Sequence, residues 1–160
     1  MKRRSFFRRF LPNLSSVSAL LGAIGLFSGG CGSAGSTAFI PAVENFDPQG
    51  YEGVWYEIAR LPNFFEKDMT HVQACYTLQS DGSIVVVNSG RKNGAWKEIT
   101  GKARLLDPEK KEGELEVSFC GPFYSAYRIV DLDENGQTAI VCGSDMDLLW
   151  ILARTPEISI

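Results

Sequence analysis

The chain has 160 residues, which suits one domain, and its 44% hydrophobic content permits a packed core. Its 19 acidic residues outnumber its 16 basic ones, and the two are unevenly placed: Lys2, Arg3, Arg4, Arg8 and Arg9 precede Glu44, the first acidic residue. The body of the chain is therefore acidic and carries no basic patch interleaved with aromatics, which argues against nucleic acid as a partner.

Residues 1–30 have the layout of an export signal. A basic start leads into the apolar run from Val17 to Phe27, too short to span a bilayer comfortably, and Ser28, Gly29 and Gly30 then precede Cys31. This pattern resembles a bacterial lipoprotein signal, which implies lipidation of Cys31 and a membrane anchor there. Ser28 departs from the Leu that such signals prefer three residues before the Cys. The competing expectation is ordinary cleavage near Ala34 or Ala38, which would leave a soluble periplasmic protein. Arg3-Arg4-Ser5-Phe6-Phe7 resembles a twin-arginine export signal and equally suits a merely basic start. Gly32 is not the Asp that usually keeps lipoproteins in the inner membrane, so the resemblance implies the outer membrane, facing the periplasm. Residues 31–43, rich in Gly, Ser and Ala, read as a tether, and residues 44–160 as the folded domain.

The folded part is a series of short apolar runs separated by turn residues. Strands are expected over 54–61, 72–79, 83–90, 96–106, 114–120, 125–132, 137–143 and 148–154. Between them lie Asp81-Gly82, Asn93-Gly94, the 107–113 stretch, Gly121-Pro122, Asn135-Gly136 and Asp145. Asp-Gly and Asn-Gly supply the positive φ that tight hairpins need. No ten-residue stretch shows a 3.6-residue period. Eight strands joined in sequence predict an all-β, eight-stranded up-and-down antiparallel β-barrel, whose interior is wide enough for one small ligand.

Alternation assigns the inward side chains. Trp55 leads Glu57 and Ala59 in the first strand; Ala74 and Tyr76 follow in the second, and Ile84, Val86 and Asn88 in the third. Ile99 and Ala103 come from the fourth strand, and Leu115, Val117 and Phe119 from the fifth. Tyr127, Ile129 and Val141 precede Leu148, Trp150 and Leu152. This lining is apolar with a few polar atoms, the composition of a pocket for an amphiphile. The small residues Ala59, Ala74 and Ala103 argue against a barrel filled solid by its own side chains. Arg154 shares the parity of Trp150 and Leu152, which brings its guanidinium to the Trp55 face at the barrel base, a structural contact. Cys75, Cys120 and Cys142 all have outward parity and fall on non-neighbouring strands, so no disulfide is expected.

Several stretches carry a resemblance to a known family. Gly53-Val54-Trp55-Tyr56-Glu57-Ile58-Ala59-Arg60 resembles the first strand of the lipocalins, most closely the bacterial, apolipoprotein D-like branch. Ser118-Phe119-Cys120-Gly121-Pro122-Phe123-Tyr124 and Trp150-Ile151-Leu152-Ala153-Arg154-Thr155-Pro156 resemble the same branch, and Asp131-Leu132-Asp133 retains one Asp of the family's Thr-Asp-Tyr signature. The resemblance covers residues 45–158 and implies a binding protein rather than an enzyme. The ligand it implies is a fatty acid or lysophospholipid held in the barrel. The family's usual C-terminal helix and ninth strand have no counterpart before Ile160: either the sequence is a shortened one, or another molecule supplies the cover for Val54 and Ile58 on the outer wall. A homodimer is a further expected partner state. The resemblance also implies that the 61–67 loop folds over the open end. Phe64 and Phe65 there suit either a lid or the packing of a short helix.

Catalytic and metal-binding chemistry finds little support. His71 is the only His and offers neither a metal site nor a base for a triad. No phosphate-cradling Gly loop, Cys-x-x-Cys or Gly-x-Ser-x-Gly occurs, so no cofactor is expected. Glu57 is the one inward group that an enzyme acting on an oxidised or epoxidised lipid could use. A ligand-free structural protein of the envelope is the third alternative.

Overall fold

A computed structural model describes residues 40–144 and 147–157. The signal segment, Cys31 and the tether as far as residue 39 lie outside the described residues, as does Asp145. Eight strands follow one another: β1 (Gly53–Arg60), β2 (Met69–Leu78), β3 (Ile84–Lys92), β4 (Ala95–Leu105), β5 (Glu114–Cys120), β6 (Phe123–Leu132), β7 (Thr138–Cys142) and β8 (Leu149–Ala153). Each pairs antiparallel with its predecessor, and β8 closes on β1 through Tyr56–Ala153 and Arg60–Trp150. The barrel is the expected up-and-down one, and closure gives every strand a partner on both sides, although the first part of β4 extends beyond β5.

One helix escapes the sequence pattern. The single turn α1 (Pro48–Tyr51) precedes β1 and is too short for a period to register. Its signal lies in its start: Asp47 caps the turn by accepting from the Gln49 and Gly50 amides at 3.0 and 3.2 Å, and Pro48 supplies a preset φ at the first helical position. Glu52 then accepts the Leu78 amide at 2.6 Å, which ties the end of α1 to the end of β2.

The chain enters β1 and leaves β8 at the closed end. There the Arg154 guanidinium lies 4.0 Å from the Trp55 ring centre and donates to the carbonyls of Gly50 at 2.9 Å and Val54 at 3.1 Å. Gly53 has φ +91°, a conformation that favours glycine, and a Cβ there would also sit a tight 3.3 Å from the Arg154 guanidinium. At the same end Asp133 accepts the amides of Asn135, Gln137 and Thr138 and so builds the β6–β7 turn.

Register is interrupted in four of the eight strand pairs. The break in β1 matters most. Glu57 pairs with Leu152 but Ala59 with Ile151, so one extra residue is accommodated between them. Parity reverses beyond it. Ala59, expected inside, is exposed, and Arg60 takes the inward position beside Glu57.

Candidate ligand-binding site

The inward residues meet in one cluster. Ala74, Tyr76, Ile84, Val86, Ala103, Ile129, Val141 and Leu152 are buried together with Trp55, and Val117, Phe119, Tyr127 and Trp150 pack against them half-buried. Phe119 crosses Gly101, where any Cβ would stand 2.6 Å from its ring. Ile99 is opposite Asn88 in register, yet it is 51% exposed, because β5 pairs with β4 only from Lys102 to Leu105 and leaves Ala95–Gly101 without a neighbour on that side.

Tyr51 and Phe46 join the interior from outside the strands, where alternation gives no warning of them. Tyr51 stacks on Trp55 with ring centres 4.6 Å apart, and Phe46 meets Tyr51 edge-on at 5.4 Å. The Tyr51 hydroxyl lies 2.9 Å from that of Tyr127, which lies 2.8 Å from that of Tyr76. Burial raises all three phenols, Tyr76 to about 12, so they remain neutral hydrogen-bonding groups at physiological pH. Three hydroxyl protons serve two bonds, so the chain retains one donor. Asn88 Oδ1 is buried without a partner, a free acceptor on the inner wall. The site thus offers one donor and one acceptor in an apolar surround.

A second polar group stands at the opposite end. Arg60 bonds the Glu57 carboxylate and donates to the backbone carbonyls of Glu66 at 3.0 Å and Met69 at 2.9 Å. Glu66 belongs to the β1–β2 loop. Its carboxylate accepts from Trp150 Nε1 at 3.0 Å and from the Asn63 amide at 2.6 Å. Burial and then the neighbouring Glu66 raise the Glu57 carboxyl above its usual range, while Arg60 opposes both. The loop is thereby latched to the rim. It forms no helix; Phe65 leans toward Trp150 at 6.3 Å between ring centres and Phe64 is 87% exposed.

No group of three or more potential metal ligands occurs among the described residues. Cys75, Cys120 and Cys142 are free, as their strand positions require. Cys142, though of outward parity, is buried beneath the outer wall, where Arg128 lies against it. His71 is exposed and 3.1 Å from the Thr70 hydroxyl. On the outer wall Val54 is exposed at 38% and Ile58 is half-buried.

The described residues thus form a closed antiparallel barrel, plugged at one end by Arg154 and Trp55 and lined with apolar side chains. Residues 46–160 match the family model described as a lipocalin-like domain, and the chain belongs to the lipocalin family. It is 39% identical over 153 residues to the outer membrane lipoprotein Blc of Escherichia coli K12, covering 94% of this chain and 83% of that one. It is 38% identical over 149 residues to apolipoprotein D of Macaca fascicularis, covering 86% and 76%. Insecticyanin of the tobacco hornworm Manduca sexta superposes with a TM-score of 0.67 at 23% identity, over 79% of this chain and 72% of that one, a likeness of fold.

Proposed function

We propose that this protein is a bacterial outer-membrane lipoprotein, lipidated at Cys31, that carries or stores a fatty acid or lysophospholipid in its barrel. The name of the Escherichia coli relative supports the location. The observation that carries the ligand class is the pairing of an apolar wall with one spare phenol donor and the unpaired Asn88 acceptor. Such a wall suits an acyl chain, and the two polar atoms suit the ester or hydroxyl of a headgroup. Burying about 14 methylenes at ~0.8 kcal/mol each yields on the order of 11 kcal/mol. Association costs of roughly 4–15 kcal/mol offset much of that, so exchangeable binding in the micromolar to nanomolar range is expected.

An enzymatic role would have to use Glu57, whose carboxylate is already held by Arg60. No described thiol belongs to the inward set that a cavity reaction would use: Cys75 alternates with Ala74 and Tyr76, and Cys142 lies under Arg128. Binding without chemistry is therefore the better reading. Native mass spectrometry of protein prepared without detergent tests it. A mass increment from a co-purified acyl lipid supports carriage, and a bare polypeptide that also fails to take up added fatty acid refutes it.

A further inference from the structure

The barrel wall is not uniform between β4 and β5. These strands pair from Leu105–Leu115 as far as Lys102–Ser118 and no further, although β5 runs on to Cys120 and β4 begins at Ala95. On its other side β4 keeps β3 along its length, from Ala103–Ile84 to Ala95–Lys92. β5 in turn slips register against β6 between Val117 and Cys120. Beyond Lys102 and Ser118 the two strands therefore lie side by side without a continuous ladder to join them.

A cleft of about 440 Å3 lies at this break, a volume in the range of small-molecule pockets. Val85 and Lys102, opposite each other in register, alternate with the buried Ile84, Val86 and Ala103 and so line it from the outer face. Tyr124 adds its ring, which the Arg104 guanidinium covers at 4.6 Å. Phe119 lines the cleft as well, and it also packs against the interior cluster. One side chain thus borders both spaces. Gly101 supplies none, and a Cβ there would stand 2.6 Å from the Phe119 ring, so the ring itself fills the wall at this point.

The two ends of the barrel are held more firmly. At one, the β1–β2 loop is fixed through Glu66 to Trp150 and Asn63 and through Arg60 to two backbone carbonyls. At the other, Arg154 covers Trp55 and bonds the Gly50 and Val54 carbonyls. Opening either end breaks several charge-assisted hydrogen bonds, whereas swinging a phenyl ring aside breaks none.

We propose that an acyl chain enters and leaves the barrel sideways through this cleft, with Phe119 as the movable partition between the cleft and the interior. The proposal rests on the carrier reading and says how that cavity is filled. Val85 and Tyr124 receive the chain. Lys102 makes no ion pair with a described residue; Asp81, which feels its charge, is bonded by Ser83 instead. Lys102 is thus available to an acidic headgroup, and the Ser118 hydroxyl, buried without a partner in the cleft wall, is an unused donor beside it. While the β1–β2 loop stays latched the side route is the easier one, and loosening the latch adds a second route at the rim.

Thr100→Cys tests this together with the native Cys120, which is exposed and free. Continuing the Lys102–Ser118 register puts position 100 opposite Cys120, so oxidation staples the break and reduction releases it. Uptake of cis-parinaric acid, a fluorescent fatty acid, by the delipidated full-length protein is followed by stopped flow in both states. Stapling is expected to slow uptake and release alike, about tenfold or more, with the equilibrium affinity of the reduced state retained, because blocking a route changes neither end state. Phe119→Ala is expected to quicken uptake about fivefold or more, whereas loss of a wall contact alone would hasten release and leave uptake as it was. Uptake at equal rates in stapled and reduced protein, or unmoved by Phe119→Ala, overturns the proposal, while saturable binding in the same experiment upholds the carrier reading. Absence of binding in every form overturns both. Where the disulfide does not form, the uptake rate of Phe119→Ala decides alone.

Discussion

Arg154 and Trp55 close the barrel together: the guanidinium stands 4.0 Å over the indole while its nitrogens bond the Gly50 and Val54 carbonyls. The two are 99 positions apart in sequence, so the contact fastens the last strand to the first. Arg154→Ala removes a cation–π contact and charge-assisted bonds and is expected to lower stability by about 2–4 kcal/mol in urea denaturation. Arg154→Lys should recover only part of this, because an ammonium cannot hold two carbonyls and cover a ring at once.

The three linked tyrosines predict an alkaline limit. Their folded pKa values lie above those of the unfolded chain, so the stability they contribute is whole below about pH 10 and falls as pH rises toward their folded values, about 12 for Tyr76. Ultraviolet titration should show these phenols ionising only with unfolding. Tyr127→Phe leaves the Tyr51 and Tyr76 hydroxyls unpaired and should cost about 1–3 kcal/mol at neutral pH.

Glu57 predicts an effect of the same sign at acid pH. Its folded pKa is raised, so between the unfolded and folded values the folded state holds a proton that the unfolded state has lost, and the stability the group contributes falls as pH rises through that window. In Glu57→Gln the fall in stability on rising from the ordinary carboxylate range into the raised one should be absent. Denaturation midpoints measured across that window check this.

The Glu66 latch predicts a kinetic effect. Trp150→Phe keeps the ring against Phe65 but deletes the Nε1 donor to Glu66. Backbone amides over 61–68 should exchange hydrogen faster, and bound lipid should leave several-fold faster at nearly unchanged stability.

Most of the barrel was legible in the sequence because period-2 alternation and Asp-Gly or Asn-Gly turns are local signals. The alternating run Leu115, Val117 and Phe119 gave the clearest case, and the parity of Trp150, Leu152 and Arg154 was enough to bring Arg154 to Trp55. What failed was parity across a bulge. Nothing local marks the extra residue between Glu57 and Ala59, so Ala59 was placed inside and Arg60 was overlooked. Tyr51 was missed because it enters the barrel from a one-turn helix capped by Asp47, where alternation does not apply. Ile99 keeps its register but stands on a hairpin that outgrows its neighbour, and strand length is a property of the pair rather than of either strand.

The central claim is that the inward wall binds lipid. Titration of a fluorescent fatty acid into the delipidated protein, followed by displacement with lysophospholipid, tests it most directly. Saturable one-to-one binding at micromolar or tighter affinity, with a rise in Tm at saturation, is the expected result. A linear, unsaturable signal with no change in Tm would contradict it.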